Sequence, residues 1–172
     1  EWAGGFFVKA SVDFQDRPQI PVHSYQAYAY DPPSGLMVNA SMRAYNVAER
    51  QWLPQRIENN PGGGYMHSLY ETTPKGVVVW SKNGLFRFNA EKMAFEKLKV
   101  EGPLPRGPWC DGSALLYDSK RDALWIAQGR GDQHIYRHDI AAGKTTRRDV
   151  VPPAEVSKFP LGREQVYVPE AD

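Results

Sequence analysis

The chain has 172 residues, 41% of them hydrophobic and 12% aromatic, enough to bury the core of one ordinary domain. Its 21 basic and 20 acidic residues are interspersed and leave a net charge of +1, which excludes the electrostatic footprint of a nucleic-acid binder. Cys110 is the single cysteine, so no internal disulfide forms, and no apolar run approaches the roughly 20 residues that span a bilayer.

Along the chain the pattern predicts short strands divided by turns, and the 15 Gly and 14 Pro suit such a chain. Residues 1–20 hold two short apolar segments, Phe6-Phe7-Val8 and Ser11-Val12-Asp13-Phe14. Strands are then expected near 25–30, 36–40, 42–47 and 51–56, next near 66–72, 77–81, 85–89 and 94–100, and last near 113–117, 123–128, 134–140 and 145–150. The second strand of each group follows a turn, Asp31-Pro32-Pro33-Ser34-Gly35, Thr73-Pro74-Lys75-Gly76 or Asp118-Ser119-Lys120-Arg121-Asp122. Proline presets φ there, glycine accepts positive φ, and Asp or Ser bonds its own backbone.

The groups repeat. Leu36-Met37-Val38, Val77-Val78-Val79 and Leu124-Trp125-Ile126 follow one another at 41 and 47 residues. Met42-Arg43-Ala44-Tyr45-Asn46, Leu85-Phe86-Arg87-Phe88-Asn89 and Ile135-Tyr136-Arg137-His138-Asp139 follow at 43 and 50. Four strands in each such period is the pattern of a β-propeller blade, and the 3.6-residue periodicity of a helical solenoid is missing. The expected fold is all-β: a propeller with four-stranded antiparallel blades. Residues 1–20 would be the tail of a preceding blade, residues 21–60, 61–104 and 105–153 three complete blades, and residues 154–172 the start of the next. Closed propellers have about 4–8 blades. The missing blades are therefore expected from the same longer chain or from another copy.

On these residues the chain resembles Kelch repeats of the galactose-oxidase central-domain type, over roughly residues 21–150. Tyr45-Asn46 with Trp52 resembles that family's aromatic, its amide or acidic residue and its following tryptophan. Phe88-Asn89 with Phe95 is a softened copy, and His138-Asp139 with Thr145 keeps only the acidic member. The family's glycine doublet is replaced by Asn39-Ala40, Trp80-Ser81 and Gln128-Gly129. The resemblance implies that the paired aromatics fill the wedge between neighbouring blades. It also implies a functional face made by two kinds of loop: those leading from one blade to the next, and those between second and third strands.

The segments leading into innermost strands carry the candidate binding residues His23, Tyr25, Tyr65, His67, Trp109, Asp111, Arg163 and Glu164. His23 and His67 suit metal ligation or proton transfer near pH 6.5, or hydrogen bonding within their own blades. Trp109, Tyr25 and Tyr65 suit a stacking platform for a sugar ring, or packing between blades. Asp111 and Glu164 would serve glycosidic chemistry if about 5–10 Å apart, and otherwise are turn or rim residues. Cys110 between Trp109 and Asp111 invites comparison with the copper site of galactose oxidase, but the motif does not match, and an inert buried thiol is the simpler reading. Gly62-Gly63-Gly64 lacks the Lys-Ser/Thr and helix of a phosphate loop.

The expected function is a non-catalytic scaffold that binds a protein or glycan at its loop face, with no cofactor, metal, nucleic acid or membrane span. The alternative is a carbohydrate-active enzyme (oxidase, hydrolase or lyase) with His23, His67 and Asp111 at the mouth. The aromatic, disulfide-free character points to a secreted or periplasmic location.

Overall fold

A computed structural model of the protein describes residues 26–109, 112–129 and 132–149. These residues are all-β, forming twelve strands in three four-stranded antiparallel sheets. The first sheet contains β1 (Tyr28–Asp31), β2 (Leu36–Asn39), β3 (Arg43–Asn46) and β4 (Gln51–Arg56). The second contains β5 (Ser68–Thr73), β6 (Gly76–Ser81), β7 (Gly84–Asn89) and β8 (Ala94–Lys97). The third contains β9 (Ala114–Asp118), β10 (Ala123–Gly129), β11 (Asp132–Asp139) and β12 (Lys144–Arg148). Each sheet is a meander in chain order. Among the described residues the sheets do not close on one another, and no helix is long and apolar enough to cross a membrane.

Turn chemistry explains why the repeat is so regular. At the turn after each third strand an Asn or Asp carboxamide or carboxylate oxygen accepts a backbone N–H three residues on. The pairs are Asn46 with Glu49 (3.0 Å), Asn89 with Lys92 (3.1 Å) and Asp139 with Ala142 (2.9 Å). At the turn after each first strand, Asp31 takes the Ser34 N–H, Thr73 the Lys75 N–H and Asp118 the Arg121 N–H.

The second sheet lies between the other two, with β1 beside β5 and β5 beside β9. Its middle strand β6 is buried on both faces, so it reads as a continuous apolar run instead of an alternation. Val77 and Val79 join Val38, Phe88 and Phe95 in the core against the first sheet, while Val78 and Trp80 join Leu115, Leu124 and Ile126 against the third. The segments leaving the first and second sheets each cross to the last strand of the next. Glu58 bridges to β8, donating to Met93 O (2.8 Å) and accepting from Phe95 N (3.1 Å). Glu101 repeats this on Gly143 and Thr145 (both 2.7 Å).

The cross-strand pairs stand in register: Tyr45 opposite Trp52, Phe88 opposite Phe95 and His138 opposite Thr145. The first two are ring contacts at 5.3 and 5.6 Å between centroids. The third is a buried hydrogen bond of 2.9 Å between His138 Nδ1 and Thr145 Oγ1. Burial lowers the His138 pKa, against a smaller upward pull from Asp139.

Val77 and Leu124 correspond as read, but the first group's second strand differs from the sequence reading by one residue. Leu36 pairs with Asp31, as Gly76 pairs with Thr73 and Ala123 with Asp118, so Leu36 corresponds to Gly76 and not to Val77. The cause is loop length, because residues 32–35 separate β1 from β2 while residues 74–75 alone separate β5 from β6.

Candidate functional site

The linker before β5, the linker before β9 and the β6–β7 turn meet at one end of the second and third sheets. Between them is a cavity of about 650 Å³ lined by Gly63, His67, Lys82, Arg106, Gly107, Pro108, Trp109 and Gln128. His67 follows the short 3-10 turn Gly64–Met66, and the chain turns so tightly there that a Cβ on Gly63 would overlap the His67 carbonyl. The His67 ring stands edge-on to Trp109, with centroids 4.4 Å apart and planes at 61°, and its Nδ1 lies 3.4 Å from Pro108 O. Trp109 N donates to Ser113 Oγ (2.9 Å), and that hydroxyl donates to Gln128 O (2.5 Å), which ties the linker to the third sheet. Trp109 stays 38% exposed.

The linker also abuts the second sheet. A Cβ on Gly107 would overlap the Lys82 backbone, so only glycine lets the two segments approach this closely. This contact brings Arg106 and Lys82 to the same cavity from distant parts of the chain. Both are exposed, and among the described residues neither forms an ion pair.

Of the residues singled out by sequence, the structure brings His67 and Trp109 together. Tyr65 lies in the 3-10 turn, and its side chain is outside the described set. His23, Tyr25, Cys110, Asp111, Arg163 and Glu164 lie outside the described residues. Sequence reasoning missed Lys82 and Arg106. The available signal was position, since Lys82 lies in a turn between second and third strands and Arg106 two residues before Pro108. Among the described residues, no group of three His, Cys, Asp or Glu side chains is set to hold a metal ion.

A second cleft, of about 320 Å³, lies along β1 and β5 and includes Tyr28, Tyr30, Tyr70, Glu71 and Thr72 in its lining. Burial pushes the Glu71 carboxyl up to about 7, although its Oε1 accepts a 3.0 Å bond from Tyr117 N that pulls the other way. Burial also raises the Tyr70 hydroxyl, and the Ser68 hydroxyl opposes this. Neither Glu71 nor this cleft was singled out from the sequence, because the shift depends on burial and not on spacing.

Compared with known proteins, the chain matches no family model, no curated protein and no solved structure.

Proposed function

We propose that the three sheets are successive blades of a β-propeller, and that the chain binds a glycan, without transforming it, in the cavity between the second and third sheets. The meander order, the adjacent first strands and the repeated crossover at Glu58 and Glu101 support the blade reading. One observation carries the binding reading: two successive linkers deliver the imidazole of His67 and the indole of Trp109 to one cavity. Small-molecule sites occupy about 300–1,000 Å³ and combine an aromatic wall with a few polar groups, which suits a short oligosaccharide better than a flat protein partner. Kelch-type repeats present ligands on such a loop face, in keeping with the resemblance drawn above.

A glycan array read with the wild-type chain and with Trp109→Ala tests this. The expected result is a defined set of oligosaccharides bound by the wild type and lost in the variant, with the same melting temperature for both. Binding retained by Trp109→Ala would remove the cavity from the function. Glu71 is the observation that favours a carbohydrate-active enzyme instead, because a carboxyl with a pKa near 7 suits a general acid or base. Turnover of an array polysaccharide that Glu71→Gln abolishes would move the function to the first-strand cleft.

A further inference from the structure

We propose that the cavity selects an anionic sugar, with Lys82 and Arg106 holding the negative group while the ring lies against Trp109; this rests on the glycan reading above. The described lining includes two cations and an imidazole and no acidic side chain. This is a local feature, because the chain as a whole carries only +1. Elsewhere on the described surface some cations stand beside carboxylates (Lys75 with Asp122, Lys92 with Glu96, Lys99 with Glu101 and Arg147 with Asp149) and others, such as Arg50, Arg56 and Arg148, form no ion pair, but Lys82 and Arg106 line one cavity together. Lys82 and Arg106 have no such partner among the described residues.

Two cations that line one cavity with no carboxylate partner among the described residues repel each other, and an incoming anion relieves that cost. The close approach of Gly107 to the Lys82 backbone keeps the two segments together, so the site is assembled before ligand arrives. Arginine adds a planar fork that matches the two oxygens of a carboxylate or sulfate ester, and lysine adds a point charge. Trp109 supplies a partly exposed apolar face beside them, against which the C–H face of a pyranose packs. An isolated phosphate or sulfate would use the cations and leave the indole unused, whereas a neutral sugar would use the indole and leave the cations unmatched. Of these three, only an anionic sugar uses both.

The test is calorimetric titration of the 172-residue chain at low ionic strength. The probes are galacturonate and glucuronate oligomers, the methyl esters of both, a sulfated galactose oligomer, neutral galactose oligomers and inorganic sulfate. The ester keeps ring and linkage and removes the charge. The expected result is binding of a uronate or sulfated oligomer at least about tenfold tighter than its uncharged counterpart, a preference that shrinks in salt. Lys82→Gln and Arg106→Gln each remove most of that preference, lowering the affinity for the charged oligomer severalfold more than that for its uncharged counterpart. Trp109→Ala weakens charged and uncharged oligomers alike. Whether uronate or sulfate ester binds tighter identifies the source of the charge.

Equal affinity for acid and ester, with no gain on sulfation and with Trp109→Ala still abolishing binding, overturns the anionic inference and leaves the glycan reading standing. Inorganic sulfate displacing the oligomers, with Trp109→Ala without effect, makes this a bare anion site and overturns the sugar. Binding of no probe, charged or neutral, overturns both readings.

Discussion

The junction between the first and second sheets is locked by a carboxylate at the end of β1, whereas the junction between the second and third is locked by one within β5 and opens onto a basic cavity. In the first, Asp31 caps its own turn through Oδ2 and takes the Val77 N–H across the junction through Oδ1 (2.8 Å). Thr73 occupies the equivalent place in the next repeat, but its hydroxyl donates to Gly76 O (2.7 Å) within its own turn. The crossing carboxylate is then Glu71, two residues earlier, which takes the Tyr117 N–H. On the side of the last strands the two junctions are alike, with the Glu58 and Glu101 bridges in corresponding places. The difference teaches that turn capping and sheet-to-sheet locking are separable tasks, and that the same repeat can move the second task without disturbing the first.

The comparison breaks most visibly in the cores. Phe95 is 1% exposed and packs on Phe88 at 5.6 Å and Tyr70 at 6.0 Å. Phe95→Ala should cost about 3–5 kcal/mol in urea denaturation, and Leu124→Ala at the second junction about 2–5 kcal/mol. A loss below about 1 kcal/mol at either place would show that its junction is not packed as described. Asp31→Ala comes next. It leaves the buried Val77 N–H unpaired, which costs about 1–3 kcal/mol, and Asp31→Asn, which keeps an acceptor oxygen, should recover much of it.

Gly107→Ala sharpens the contrast at the open junction. The added Cβ pushes the Arg106–Trp109 linker off Lys82, so glycan affinity should fall about tenfold, equivalent to about 1.4 kcal/mol, while the first junction is untouched. Unchanged affinity on the array-selected glycan would separate Gly107 from the site.

A pH dependence sharpens the contrast further. The Glu71 carboxyl is raised from 4.5 to about 7 in the folded chain. Its contribution is therefore full below pH 4.5 and is lost as pH rises through about 7, because only the folded state resists ionisation. Glu71→Gln should raise the melting temperature at pH 8 and leave it nearly unchanged at pH 4. His138 acts in the opposite sense: its lowered pKa means that stability is lost as pH falls below its ordinary 6.5. A Glu71→Gln gain of the same size at both pH values would show that ionisation of Glu71 is not what burial opposes.

Twelve strands were legible because the turn chemistry recurs in types that have few other uses. Asn46, Asn89 and Asp139 mark the same turn three times, and the aromatic pairs that flank it prove to be direct cross-strand neighbours. The third pair was legible only in its acidic member, because His138 and Thr145 replace ring packing with a hydrogen bond. Register was harder to read, since a turn of two residues and a turn of four carry the same Pro, Gly and Asp signals. The strand expected over 94–100 stops at Lys97, because the following residues leave the second sheet and reach β12 at Glu101. In the site, linker position pointed to His67 and Trp109. The partnership of Lys82 with Arg106 depends on a backbone contact at Gly107 that no spacing rule encodes.

The most direct test of the account is an amide chemical-shift titration of the nitrogen-labelled chain with the glycan that the array selects. The prediction is that shifts centre on Lys82, Gly107 and the amide and indole N–H of Trp109, around the cavity at the second junction. Shifts centred on Tyr28, Tyr30, Glu71 and Thr72, along the first-strand cleft, would contradict it and place the ligand at the other junction.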